Sequence, residues 1–321
     1  MKTAMKLGGS LLLPAGKKGR LSILSFHSVA ADEWGLGKVL PEEFEILMTF
    51  VARHFTVFSL EEAVRRLDAQ ELPSRSVAIT FDDGYLDNVE VALPTLLKYG
   101  LTATFFVVTS TLDGGMMWND QVFEAIRQCR RESLDMTRID LGILSLRNRS
   151  DRIAAFKHCI GRLKYLPLEQ RCEYVDILAR EANAITDKKI MMDRNDLRRL
   201  SGAGMSIGAH TVNHPILSSL SDEKVEEEIG ASKRELEKIV GEEVKFFAYP
   251  NGVPGKDFLA RHVAIVERLG FLGAVTTSPG TAHFSTSRYQ LPRFTPWDRD
   301  PVKFGLRLLL NGRTKPTIVR T

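Results

Sequence analysis

The chain has 321 residues, with 44 lysines and arginines against 40 aspartates and glutamates, a formal net charge of +4. That length accommodates one large α/β core with room for an inserted layer, and the near balance of charge excludes the strongly basic surface of a general nucleic-acid binder. Cys129, Cys159 and Cys172 form an odd set without metal-ligand spacing and read as reduced thiols of a cytoplasmic protein, and no apolar run reaches the ~20 residues that span a bilayer.

Residues 1–20 read as a basic and apolar extension, whose apolar core is too short and too glycine-rich for a signal peptide. LSILSF, 21–26, is strand-like and leads into His27. The spacing of Phe44, Leu47, Met48 and Val51 predicts a helix over 41–54. A short strand follows at 55–58, and Ser59 with Glu62 forms a capping box for a helix carrying Ala63, Val64 and Leu67. The next β-rich run, 77–81, delivers two adjacent carboxylates, Asp82 and Asp83, onto a turn at Gly84. Neighbouring side chains on extended backbone point to opposite faces, so one acid can hold a metal while the other handles a proton. A helix over 89–99, stopped by Gly100, and a strand over 102–108 complete a βαβ unit.

From Gly84 to His210 the chain runs 126 positions (210 − 84), far beyond the roughly 30 to 40 residues of a βα repeat. Helical patterns at 117–131, 150–166, 168–184 and 193–200 predict an inserted helical region over 115–200, with Trp118 at its start as a sugar-stacking ring or a packing anchor. A strand at 205–209 presents His210-Thr211-Val212-Asn213-His214, two imidazoles about one turn apart. Asp plus two His is a ligand set for zinc or a similar divalent ion, with positions left open for water and substrate. After a helix over 221–240, a strand at 244–248 delivers Tyr249-Pro250-Asn251-Gly252. A helix at 258–269, a strand at 271–276, the strand-like Leu291-Pro292-Arg293-Phe294 and a closing helix over 301–310 follow. The basic tail 311–321 has little in its sequence to pack with.

Thr80-Phe81-Asp82-Asp83-Gly84, His210-Thr211-x-x-His214 and the tract ending Pro250-Asn251-Gly252, each after a strand-like run, together resemble the three motifs of the polysaccharide deacetylase family, the NodB-homology carbohydrate esterases. The similarity extends over roughly 21–297. It implies a distorted (β/α)7 barrel, with 21–310 as the barrel including its helical insert. It further implies that Asp83, His210 and His214 hold one divalent metal, zinc or alternatively cobalt, manganese, nickel or iron, while Asp82 acts as general base. Tyr85, Trp118, Tyr249, Pro250 and Asn251 are the candidate substrate contacts.

Two departures stand out. Relatives carry an arginine two residues before the third-motif proline, where this chain has Ala248, and Arg293 or Lys245 is the candidate substitute. The usual C-terminal Leu-x-His is replaced by Leu291-Pro292-Arg293, which leaves His27 as candidate general acid and His283 as runner-up. The resemblance implies hydrolysis of an N-acetyl group on a sugar of a bacterial surface glycan or its lipid-linked precursor, and the chain reads as a cytoplasmic enzyme, with a membrane-peripheral place as the variant of that reading. A deformylase or O-acetyl esterase using the same attack, and a catalytically weak glycan-binding barrel, are the alternatives. Nothing in the pattern fixes the oligomeric state.

Overall fold

Strand-forming runs rich in β-branched and aromatic residues supply a parallel sheet whose order follows from their register. In the computed structural model, which describes residues 12–31, 34, 36, 38–185 and 188–320, the strands are β1 (Leu21–Phe26), β2 (Thr56–Val57), β3 (Ser76–Phe81), β4 (Thr104–Val107), β5 (Ser133–Met136), β6 (Gly142–Ser145), β7 (Ser206–Ala209), β8 (Phe246–Ala248) and β9 (Gly273–Val275). The main sheet runs β1-β3-β4-β7-β8-β9, all parallel, with short β2 pairing to the start of β3. Segment 291–294 hydrogen-bonds to both edges: Leu291 N donates to Ala274 O at 2.9 Å and Phe294 N to Ile23 O at 2.7 Å. The curled sheet therefore returns to its first strand, which answers the edge-strand problem without an exposed edge there.

All six residues of β1 and of β3 are buried, as expected of parallel strands covered on both faces. Inside the curl, Leu21, Ile23, Ala78, Phe106, Phe246, Ala248, Val275 and Leu291 form one cluster, closed below by Leu60, Ala63, Val64 and Leu67 of helix Leu60–Asp68. Outside it, Phe81 stacks on Phe105 at 4.8 Å and on Phe26 at 5.4 Å, and Phe44 of helix Pro41–His54 meets Phe26 edge-on at 5.4 Å. Such pairs add about 0.5–1.5 kcal/mol each beyond area burial. Gly208 in β7 is required by this packing, since a Cβ there would stand 2.3 Å from the Phe106 ring.

The chain divides into two compact units: the described residues of Met1–Asp32, Gly37–Thr109 and Met192–Thr321 make the barrel, and those of Glu33–Leu36 and Ser110–Met191 make the second. The second unit has its own core, in which Val122, Ile126, Met136, Leu144, Cys159, Leu163, Val175 and Leu178 are buried. Helices Trp118–Gln128, Arg149–Leu163 and Leu168–Glu181 build it around an antiparallel β5–β6 hairpin. That hairpin is absent from the sequence reading because SLDM and GILS are short runs without a distinguishing period. Helix Arg194–Gly202, expected within the 115–200 insert, belongs instead to the barrel unit: its Leu197 and Leu200 are fully buried there and its end leads straight into β7.

The tail also differs from expectation. Gln290 brackets the backbone of Val319, donating to its carbonyl at 3.0 Å and accepting its N–H at 2.8 Å, and Thr317 N donates to Ser278 Oγ at 2.8 Å. Side chains elsewhere in the barrel thus hold a segment with little packing surface of its own. The part of the 1–20 extension before Leu12 lies outside the described residues; Leu13 is fully buried and accepts the Arg75 N–H at 3.0 Å. No helix among the described residues is long and apolar enough to cross a membrane.

Candidate metal centre and proton-transfer site

The chemistry-bearing residues follow the C-terminal ends of β3, β7 and β8, where connecting turns leave the barrel. Asp82 continues the β1–β3 ladder, its N–H donating to Phe26 O at 3.0 Å. By the two-residue period of the strand it shares a face with Ala78 and Thr80. Asp83 then turns out of the strand with φ 74°, followed by Gly84 at φ 91°. The same left-handed backbone recurs at Thr211, His214 and Asn251, on non-glycine residues where it costs roughly 1–2 kcal/mol each. Strain concentrated at the same ends of β3, β7 and β8 is a mark of functional geometry.

Asp83 Oδ1 lies 3.5 Å from His210 Nε2 and 3.6 Å from His214 Nε2. One donor atom from each of the three side chains falls within 4.8 Å of the others. Two tetrahedral ligands about 2.1 Å from a metal stand ~3.4 Å apart, so the separations suit one divalent ion. His210 Nδ1–H donates to Ala248 O at 2.7 Å. A carbonyl can only accept, so Nδ1 carries a proton and Nε2 is the nitrogen that faces Asp83. The loop holding His214 is tied by Glu228, whose carboxylate accepts the N–H groups of Val212 at 3.0 Å and Asn213 at 2.9 Å and the Asn213 amide at 2.7 Å. Thr211 Oγ1 accepts the His214 N–H at 3.0 Å.

Asp82 has a different environment. Arg293 meets it through two parallel hydrogen bonds, Nη1 to Oδ1 at 2.7 Å and Nη2 to Oδ2 at 2.6 Å. The guanidinium is itself held by Nε donating to Thr276 O at 2.9 Å and Nη1 to Thr80 Oγ1 at 3.2 Å, and it is 2% exposed. Burial works against ionisation of Asp82, but the Arg293 charge and hydrogen bonds outweigh it and hold the carboxyl below its usual range. Burial likewise opposes ionisation of Asp83, and there the His210 hydrogen bond and the His214 and His27 charges overcome it. Burial would lower the His210 pKa, and its contacts with Asp83 and Asp82 raise it instead.

His27 Nε2 lies 3.9 Å from Asp82 Oδ2, with its side chain half exposed. Two neighbours fix the loop that carries it. Asn88 Nδ2 donates to His27 O at 2.7 Å, while Asp87 accepts from Ser28 Oγ at 2.6 Å and Val29 N at 2.9 Å.

Several expected substrate contacts are placed otherwise. Tyr249 is fully buried, stacked on Phe258 at 3.9 Å with its hydroxyl donating to Tyr289 O at 3.1 Å, so it is a packing residue. Pro250 is buried as well, and Tyr85 is 6% exposed; Asn251 alone of the β8 turn trio is partly open. Trp118 belongs to the second unit, where Arg171 lies 5.0 Å from its ring and the ring packs on the helical core. Lys245 pairs with Glu61 at 2.7 Å at the surface and not with Asp82. His283 follows Ala282, which pairs with Leu21 at the start of β1. That is five strand residues, on the order of 16 Å, from the end that carries the acids.

Sequence reasoning missed Glu228, Asp87 and Asn88. Glu228 left a signal, a carboxylate between Val225 and Ser232 on the buried stripe of helix Asp222–Val240.

A family model described as polysaccharide deacetylase matches residues 69–133 and 179–273, which take in the Asp82-Asp83 turn, both histidines and the β8 turn but neither His27 nor Arg293. The polysaccharide deacetylase homologue YxkH of Bacillus subtilis is 24% identical over 279 residues, 86% of this chain and 71% of that protein. Among solved structures, the Streptococcus pyogenes deacetylase PplD superposes with a TM-score of 0.62 at 21% identity, over 91% of this chain and 97% of that one. IcaB from Ammonifex degensii gives 0.57 at 17%, over 92% and 97%. At these identities the structural matches establish the fold alone; the family model, matched across the paired acids, both histidines and the β8 turn, places this chain in the polysaccharide deacetylase family.

Proposed function

We propose that the protein hydrolyses the N-acetyl group of an amino sugar in a bacterial surface glycan or its precursor, using one divalent metal, with zinc the first choice, held by Asp83, His210 and His214. A divalent ion in that position would polarise the acyl carbonyl and acidify a water. The observation that carries the reading is the different surroundings of two consecutive carboxylates. Asp83 faces two imidazole nitrogens at 3.5 and 3.6 Å, whereas Asp82 is clamped by Arg293.

In this reading Asp82 accepts a proton from the attacking water as its oxygen bonds to the acyl carbon. Arg293 keeps Asp82 ionised and aimed, the task that the chain's Ala248 cannot perform from the third motif. His27 then gives a proton to the sugar nitrogen as the C–N bond breaks, releasing acetate and a free amine. Its half-exposed ring beside Asp82 suits exchange of that proton with solvent. Asn251, the partly open residue of the β8 turn, is the remaining candidate there for a polar contact to the glycan.

The test is to incubate the metal-loaded protein with N-acetylated oligosaccharides and measure acetate and primary amine together. Equal release of both supports amide deacetylation. Acetate without amine would assign the site to ester hydrolysis, and neither product would remove the enzyme reading.

A further inference from the structure

Helix Pro301–Asn311, PVKFGLRLLLN, is apolar on two faces. Phe304, Leu308 and Leu309 are buried against the barrel. Val302, Leu306 and Leu310, spaced four apart, form a second stripe that is 46%, 55% and 43% exposed. Single exposed apolar residues are ordinary, but a helix with a second apolar stripe normally has that stripe covered too. Trp297, 66% exposed, lies just before the helix. The Asp298–Arg307 ion pair, at 2.6 Å, holds its segment against the outward side of that helix. Ile318 in the pinned tail is exposed too.

Charge identifies what covers the stripe. From Trp297 onward the sequence holds six basic and two acidic residues, an excess of four that equals the whole chain's +4. Asp298 and Asp300 are already engaged, the first by Arg307 and the second by the helix N-terminus it caps. Lys303, on the outward face beside Leu306 and Leu310, and Arg313, Lys315 and Arg320 beyond it are exposed, with no acidic partner among the described residues. Apolar side chains flanked by unpaired cations and an exposed indole are the makeup of a helix that lies in the headgroup region of an anionic bilayer, where lysine stems extend along apolar surface and their ammonium groups meet lipid phosphates. A polar glycan would not repay exposing Val302, Leu306 and Leu310, and a second copy would bring the same unpaired cations to the contact.

We propose that this face, Trp297 with the outward stripe of helix Pro301–Asn311, docks the protein on anionic phospholipid membranes. This goes beyond the deacetylase reading and stands independently of it. The test is co-sedimentation of the full chain with vesicles of phosphatidylcholine, with and without phosphatidylglycerol. Preferential binding to the anionic vesicles, weakened by salt, is expected. Leu306→Glu with Leu310→Glu should weaken it at least tenfold, by about the loss of two inserted apolar side chains and the gain of two anionic ones. Lys303→Glu with Lys315→Glu, at surface positions that leave the fold intact, should remove the preference for anionic over neutral lipid. Thermal melting and metal content serve as folding controls for both variants. Equal binding of wild type to neutral and anionic vesicles, no binding to either, or unchanged binding by both variants would overturn the proposal. So would a concentration-dependent dimer that the Leu306→Glu, Leu310→Glu variant abolishes while wild type ignores vesicles, because that outcome assigns the face to a second copy of this chain.

Discussion

The two halves of the candidate site are built on opposite principles although Asp82 and Asp83 are consecutive. The Asp83 half is held by backbone turns: three residues with left-handed φ, a carbonyl that orients His210, and a glutamate gripping two amide groups of the His214 loop. Among the described residues, histidines and no arginine answer its charge. The Asp82 half is held by a buried ion pair that joins segments 211 residues apart. A carboxylate whose oxygens are both taken by a guanidinium is a poor metal ligand but a fixed proton acceptor. One whose neighbours are two imidazole nitrogens is placed to share a cation with them. Geometry after a single strand therefore gives two chemically identical side chains different surroundings.

Asp82→Asn breaks the comparison most severely. It keeps the ligand half and removes the base, so hydrolysis should fall by at least ~10²-fold while metal content stays at the wild-type level; equal losses of both would show that the halves are not separable. Arg293→Met comes next. It leaves Asp82 buried without its partner, which should cost about 3–5 kcal/mol of stability by denaturant titration and lower kcat. The double variant Asp82→Asn, Arg293→Met should recover part of that stability because no uncompensated charge remains. Glu228→Ala acts on the other half alone, lowering metal affinity roughly 10–100-fold by calorimetric titration while the Asp82–Arg293 pair is retained. Asp87→Ala frees the His27 loop and should reduce kcat about tenfold with metal affinity unchanged, a loss the second half of the reaction would show first if His27 is the acid.

The smallest effect lies outside both halves. His262 is fully buried, its Nδ1 accepting the Leu259 N–H at 3.1 Å, and burial followed by the Arg261 charge pushes its pKa down to about 4. The unfolded chain binds this proton near pH 6.5 and the folded chain only near 4, so its contribution is complete above the higher value and is lost as pH falls between them. His262→Gln should flatten that part of the melting profile by about 2 kcal/mol, without moving the metal affinity that the Glu228 variant lowers.

How much was legible follows the same division. The Asp83 half rests on short motifs, each directly after a strand-like run, so Asp83, His210 and His214 could be named from spacing and resemblance. The barrel was legible because its strands are continuous apolar runs separated by helix-period segments. The Asp82–Arg293 pair depends on how segment 291–294 closes onto β1, a long-range event that leaves no local pattern, and Arg293 entered only as one substitute for a missing arginine. Tyr249 was misjudged as a glycan contact because an aromatic on a motif turn reads alike whether it faces solvent or, as here, stacks on Phe258. The β5–β6 hairpin and the tail's attachment through Gln290 were hidden for a related reason: their partners are remote or their runs too short to carry a period.

The central claim is that Asp83, His210 and His214 hold one divalent metal while Asp82 does not. Elemental analysis of purified wild type, the His210→Ala, His214→Ala variant and the Asp82→Asn variant, after the same reconstitution, tests it directly. Wild type and Asp82→Asn should each carry close to one equivalent of zinc or another divalent metal, and the histidine variant none. Metal retained without the histidines, lost with Asp82→Asn, or absent from the reconstituted wild type would contradict it.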